Sequence, residues 1–264
     1  MAYKEIIYTV EDMVATITLN RPERMNALTA VTYQEAEQAL KEADADNDVR
    51  AVIFTGAGRG FCSGDDVRKQ PGAPTAEQLA QRKIPAKGRP TPLAAALLGF
   101  DKPLIAAVNG AAVGWGMDLA LMCDIRIASD RARFGEVYVL RGLIADIAGW
   151  LLLPQIVGLS RAYELLLTGD IIDAQEAERI GLVSKVVPHD ELMPAVKELA
   201  TKIANLPPVA IRMTKEAVRK GLDYNLGVLG EYHSHALGVL FATEDFREGS
   251  TSVLERRQPV FKGR

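Results

Sequence analysis

The chain has 264 residues, 48% of them hydrophobic and 25% charged, with 31 Lys+Arg against 34 Asp+Glu and a formal net charge of -3. A chain of this length forms one large domain, or a domain with an appendage, and buries enough surface to need no disulfide or metal. The near balance of charge excludes a polyanion-binding surface over the whole molecule, and the only two cysteines, Cys62 and Cys123, exclude a disulfide-scaffolded secreted fold.

From the N-terminus, the opening residues lack a basic stretch followed by an apolar one, so a cytoplasmic protein without a secretion signal is expected. Residues 5–9 and 13–19 flank Glu11-Asp12 and predict a β-hairpin. Residues 26–44 carry Leu28, Val31, Ala36 and Ala39 along one helical face, and residues 49–55 read as a buried strand. Residues 69–92 hold Pro71, Pro74, Pro85, Pro90 and Pro92, which predicts a mobile excursion with one short helix at 76–81, of the kind that covers a functional site. A helix (93–98), a strand (104–108), a glycine-broken turn, a helix (117–122) and a strand (125–128) follow. Between Gly142 and Ser160 the only ionisable residue is Asp146; Gly149, Pro154 and Gln155 argue for a buried helix there rather than a membrane span. Helices at 148–157, 161–167 and 174–180, a strand at 182–187, and long helices at 191–204, 207–220 and 222–243 complete the pattern. Residues 1–205 are therefore expected to form the core domain and residues 206–264 a helical appendage, divided near Leu206-Pro207-Pro208.

Two glycine-punctuated turns follow apolar strands: Thr55-Gly-Ala-Gly-Arg-Gly-Phe-Cys-Ser-Gly-Asp-Asp66 and Val108-Asn-Gly-Ala-Ala-Val-Gly-Trp-Gly-Met-Asp118. Facing each other, they would put two backbone N–H groups at one point, an oxyanion hole; by themselves they are equally plain turns. Neither has the Gly-Lys-Ser/Thr of a phosphate-binding loop nor the spacing of a dinucleotide binder.

Phe61-Cys-Ser-Gly-Asp-Asp66 and the segment from Lys102 to Ala128 resemble the two signature segments of the enoyl-CoA hydratase/isomerase (crotonase) superfamily. Leu167-Thr-Gly-Asp170, Ala174 to Pro188 and Arg247-Glu-Gly249 match as well, so the similarity spans nearly the whole chain. The resemblance implies an α/β fold, a crotonase-like spiral of ββα units with a C-terminal helical trimerisation region. It further implies a homotrimer or a hexamer (a dimer of trimers), an acyl-CoA substrate, no cofactor beyond the CoA of that substrate, and neither nucleic-acid nor membrane partners. The thioester oxygen would sit between the amides of Asp65 and Trp115. Their side chains leave choices open: the Asp65 carboxylate turns into the pocket or away to a cap or solvent, and the Trp115 ring lines the pocket or packs in the core.

Departures from the family pattern matter here. Hydratases of the family hold water between two glutamates; the first position is Asp118 and the second Tyr138, a phenol unable to activate water at neutral pH unless its pKa falls far below about 10. Asp118 is a catalytic candidate or a dipole-favoured anion at a helix start. Tyr138 is a donor or a pocket wall, and Glu136 joins it only if the stretch stays extended. Asp146, in an apolar setting expected to raise its pKa, is a proton carrier or a helix N-cap; dienoyl-CoA isomerases and related enzymes place a working aspartate at this motif position. The resemblance implies that the backbone at Arg24, Asn26 and Ala27 and from Ser63 through Asp66 to Val67 lines the CoA pantetheine and adenine, with Lys262 reaching a CoA phosphate and Phe241 reaching likewise, both often across a subunit interface; for Lys262 a solvated tail is the alternative. His189, His233 and His235 support neither a zinc site nor a Ser-His-Asp arrangement, and both cysteines read as inert packing. The reading that follows is enolate chemistry on an enoyl- or dienoyl-CoA, chiefly double-bond isomerisation, with hydration, thioester hydrolysis or silent CoA binding as alternatives.

Overall fold

A computed structural model describes residues 3–66, 90–221 and 226–264. Val67, the helix expected at 76–81 and the excursion of 69–92 up to residue 89 lie outside the described residues. In chain order the first half holds β1 (Ile6–Glu11), β2 (Val14–Leu19), α1 (Ala30–Ala45), β3 (Ala51–Gly56), β4 (Gly60–Cys62), α2 (Pro92–Leu98), β5 (Leu104–Val108), β6 (Ala111–Val113), α3 (Trp115–Met122), β7 (Ile125–Ser129) and β8 (Arg133–Gly135). A 3-10 turn (Val137–Arg141) leads to α4 (Ile147–Leu151), α5 (Leu153–Val157), α6 (Leu159–Thr168), β9 (Ile172–Asp173), α7 (Ala174–Arg179), β10 (Lys185–Val187), α8 (Leu192–Ala204), α9 (Pro208–Gly221), α10 (Leu226–Ala242) and α11 (Glu244–Glu255).

The hairpin is present: Asp12 and Met13 take positive φ (49° and 65°), the two-residue turn that matches strand twist, and Glu11 pairs with Val14. β2, β3, β5, β7 and β10 continue from it as parallel neighbours in a six-stranded sheet. A second sheet runs β4-β6-β8-β9, parallel except at β9. Successive passages of the chain give one strand to each sheet and then a helix, which is the ββα spiral. The strand at 49–55 reads as continuously apolar because both sheet faces are covered. Val52 and Phe54 point to α1 and α2, whereas Ala51 and Ile53 point to Val196 and Ala200 of α8.

Asn26 and Ala27, expected inside the first helix, precede it; Thr29 caps α1 by accepting from the Val31 and Thr32 amides. The single buried helix expected between Gly142 and Ser160 is not there. The segment breaks into a turn, α4 and α5, and Leu143 (59%), Ile144 (81%) and Trp150 (51%) are exposed. Its apolar content is divided: Ala148 and Leu153 are buried, while these larger side chains face outward. No helix among the described residues is long and apolar enough to cross a membrane. The C-terminal helices are held to the sheet by polar contacts: Arg50 donates to Ala204 O (3.2 Å) and Phe261 O (3.1 Å), and Lys215 pairs with Asp124 at 2.6 Å.

Asn109 braces the first glycine turn. Its Nδ2 donates to Gly56 O (2.9 Å), Gly58 O (2.9 Å) and Gly60 O (3.2 Å), and its Oδ1 accepts from the Gly56 amide (3.2 Å). Asn109→Ala strips partners from buried carbonyls and is expected to cost about 1–3 kcal/mol in urea denaturation; an unchanged midpoint would refute the bracing role.

Candidate active site

β4 and β6 are parallel neighbours, so the turns leaving their ends, Ser63-Gly64-Asp65 and Gly114-Trp115, emerge side by side. Leu28 N donates to Gly64 O (2.8 Å) and Asp66 N to Leu28 O (2.9 Å), so the Asp65 amide between them faces away from Leu28. Gly64 has φ +86°, and a Cβ there would lie 2.9 Å from Val113 O and 3.3 Å from Trp115 N. Only glycine allows so close an approach of the turns. Trp115 opens α3, where a helix leaves its first N–H groups unpaired. Among the described residues, neither the Asp65 nor the Trp115 amide donates to a backbone acceptor.

The side chains of these two residues tie the turns together. Tyr33 Oη donates to Asp65 Oδ1 (2.8 Å), which ties this half-buried carboxylate to α1. The Tyr33 ring meets Trp115 edge-on with centroids 4.9 Å apart. Trp115 is 3% exposed, a packing residue, and its Nε1 donates to Asp146 Oδ2 (2.9 Å). Asp146 caps α4, its Oδ1 accepting from Ile147 N (2.7 Å). It is both the expected N-cap and a neighbour of the turns.

The burial expected at Asp146 falls instead on Asp118 and Glu136, which are 0% and 1% exposed. Asp118 Oδ1 accepts from Gly149 N (2.8 Å) and Oδ2 from Tyr138 Oη (2.6 Å). Burial pushes the Asp118 carboxyl up to about 7, against the Tyr138 and Gly149 hydrogen bonds that lower it. Burial, then the charge of Asp118, push the Tyr138 phenol far up, so Tyr138 serves as a donor and not as a base. Among the described residues Glu136 has no hydrogen-bond partner on either oxygen; burial, then Asp118 and Asp146, raise it to about 9. Sequence reasoning gave Glu136 little weight because its direction depended on whether the chain stayed extended; the chain turns immediately after it, into the Val137–Arg141 3-10 turn.

The residues expected to touch CoA separate into two groups. Ser63 Oγ lies 3.4 Å from Arg24 O, and Arg21 joins Asp66 (3.1 Å) to Ala27 O, so Arg24, Ala27, Ser63 and Asp66 gather at the first turn. The Asn26 side chain donates to Ala57 O (2.9 Å) and Gly60 O (2.7 Å) and accepts from Arg21 N (2.9 Å), which braces the backbone at this turn. Beside this group an open cleft of about 520 Å³ is lined by Leu28, Thr29, Val31, Tyr33, Asp65 and Asp66. Lys262 lies elsewhere, in a cleft with Arg50, Lys102 and Arg212, and Phe241 stacks edge-on against Phe246 at 4.9 Å.

Burial holds both thiols, Cys62 and Cys123, up at about 12, which makes them inert at neutral pH. Among the described residues no group of three or more His, Cys, Asp or Glu is placed to hold a metal.

The family model for enoyl-CoA hydratase/isomerase matches residues 9–264. The chain is 39% identical over 259 residues to a short-chain-enoyl-CoA hydratase of Clostridium acetobutylicum, covering 98% of this chain and 97% of that protein. It is 40% identical over 258 residues to an (E)-benzylidenesuccinyl-CoA hydratase of Thauera aromatica, covering 96% of this chain and 97% of that one. The crystal structure of an enoyl-CoA hydratase from Bacillus anthracis superposes with a TM-score of 0.88 at 32% identity, covering 99% of this chain and 100% of that one.

Asp118 is raised from 3.8 to about 7, so the native state binds the additional proton between those values. The stability this group contributes is whole below 3.8 and is lost as pH climbs through about 7. Asp118→Asn removes that titration, and its unfolding free energy is expected to fall less between about pH 5 and 8 than that of the wild type. Equal falls in urea denaturation would show that another group titrates there.

Proposed function

The chain belongs to the enoyl-CoA hydratase/isomerase family and is an acyl-CoA enzyme, and from that premise we propose that it moves a double bond in an enoyl- or dienoyl-CoA thioester through an enolate. The observation that carries this reading is the replacement of the second water-holding carboxylate by Tyr138, whose proton is donated to Asp118. The thioester oxygen binds between the Asp65 and Trp115 amides, where each donor is worth roughly 3–4 kcal/mol in comparable sites. Asp146 takes the proton from the α-carbon, and the electron pair moves onto the thioester oxygen. Asp118 then returns a proton at the γ-carbon, and the pair flows back to form the conjugated double bond. Tyr138 holds Asp118 in place. No cofactor enters beyond the CoA of the substrate, whose pantetheine runs past Arg24, Ser63 and Asp66.

A second reading is hydration, with Asp118 activating water; it is favoured by the relatives, which are named hydratases. As for assembly, we propose a homotrimer or a dimer of trimers: Leu140 (67%), Ile144 (81%), Trp150 (51%) and Leu167 (70%) leave an apolar surface open on a single chain. Lys262 and Phe241 would reach CoA from a neighbouring copy.

The test is a panel of 2-enoyl, 3-enoyl and 3,5-dienoyl thioesters incubated in D2O and followed by mass and absorbance. Deuterium entering without gain of water is expected. Net addition of water would install the hydratase reading, and free CoA a hydrolase. Asp146→Asn should lower exchange roughly 100-fold or more while leaving CoA affinity unchanged; persistent exchange would remove Asp146 from the mechanism.

A further inference from the structure

The Trp115 amide has a place in the scheme above; its indole has none. The ring is 3% exposed and is met edge-on by Tyr33, with centroids 4.9 Å apart and planes at 79°. Tyr33 is itself tied through its hydroxyl to Asp65, at 2.8 Å. Packed in this way the indole has one direction for its N–H, and that direction is Asp146, whose Oδ2 accepts from Nε1 at 2.9 Å. A donor set against a carboxylate makes the stronger, charge-assisted kind of hydrogen bond. Asp146 has little else to hold it. Its Oδ1 accepts from the amide of Ile147, the next residue, at 2.7 Å, a bond that travels with the carboxylate and fixes it to no other element. Residues 141–144, which lead up to it, are exposed. Among the described residues Trp115 is the only group distant along the chain that donates to this carboxylate, and it does so from α3 across a separation of 31 residues.

We propose that the Trp115 indole is a positioning group for Asp146, setting where the base stands relative to the thioester oxygen. The inference rests on the enoyl-thioester reading. In that reading the amide that binds the oxygen and the N–H that holds the base belong to one residue. Only the two side-chain torsions of a tryptophan separate them, and burial of the ring against Tyr33 locks both. The substrate α-carbon is placed by its neighbouring carbonyl, so the span from amide to indole sets how closely Asp146 approaches the proton it removes. A displacement of about 1 Å at such a point costs on the order of 100-fold in rate.

Replacing Trp115 with benzothienylalanine, which carries sulfur where the indole carries N–H, keeps the ring and its packing and removes the donor alone. For α-proton exchange in D2O, kcat is expected to fall roughly ten-fold or more with KM within about two-fold of the wild type, and Trp115→Phe should lose at least as much. In the Asp146→Asn background the same replacement should cost no more than about two-fold further, because the indole acts through that carboxylate. A benzothienyl variant as fast as the wild type overturns the proposal, since packing alone then suffices, and so does an undiminished loss in the Asp146→Asn background. Should the variants at position 115 fail to fold, the two tryptophans of the chain give two indole N–H signals in isotope-labelled wild-type protein. The Trp115 signal should exchange with D2O slowly, the half-exposed Trp150 signal quickly, and Asp146→Ala should shift the first and hasten its exchange. A Trp115 signal indifferent to Asp146→Ala refutes the contact. If the wild type exchanges no α-proton on any enoyl thioester, or Asp146→Asn exchanges as fast as the wild type, the enoyl-thioester reading falls and this inference falls with it. If Asp146→Asn is slow and the benzothienyl variant is not, this inference alone fails.

Discussion

The pairing of two three-residue strands underlies everything else at this site. Gly60–Cys62 and Ala111–Val113 run side by side in the same direction, so both chains leave the sheet at the same edge. Gly64 then brings its turn within contact of the Trp115 amide, a proximity that a Cβ would forbid. The turn ends that carry the Asp65 and Trp115 amides therefore lie side by side. Backbone donors held in place need no reorganisation when charge develops on an oxygen between them, and the proposed reaction uses these two in that way.

Around that backbone feature the side chains form a frame. Tyr33 ties the first turn through Asp65, rests its ring edge on Trp115, and Trp115 reaches Asp146. On the other side of Gly149, Asp118 sits between an amide and a phenol while Glu136 packs close by. The two aspartates therefore differ in environment. One is half-buried and caps a helix; the other is sealed from water and titrates near neutrality. Unequal surroundings of this kind let neighbouring carboxyls take different roles in moving a proton.

Much of this was legible in the chain alone, for identifiable reasons. The hairpin, the buried strands and the three helices between Leu192 and Ala242 follow from periodicity and turn residues, whereas the helix Glu244–Glu255 was not expected; motif spacing marks the two glycine turns. The short strands Ala111–Val113, Arg133–Gly135 and Ile172–Asp173 escaped notice because two or three residues carry no period to detect. The stretch after Gly142 misled for a different reason: Leu143, Ile144 and Trp150 point outward while Ala148 and Leu153 are buried, and composition does not distinguish a core from an open face. The reversal between Asp146 and Asp118 is also physical. An apolar neighbourhood in sequence does not measure burial, and Asp118 is enclosed by residues distant along the chain, Tyr138 and Gly149. Tyr33 went unremarked because nothing local joins it to Asp65, thirty-two residues away.

Trp115 presents its main chain and its side chain to separate tasks. The amide that faces the first turn belongs to the backbone and survives any replacement of the ring, while the indole nitrogen holds Asp146 Oδ2, opposite the Ile147 amide on Oδ1. In the proposed mechanism charge stabilisation and proton placement are thus separable by inheritance. A lineage could exchange the residue at this one position, release or re-aim the acid, and explore a new reaction on a scaffold whose electrostatic centre never changed.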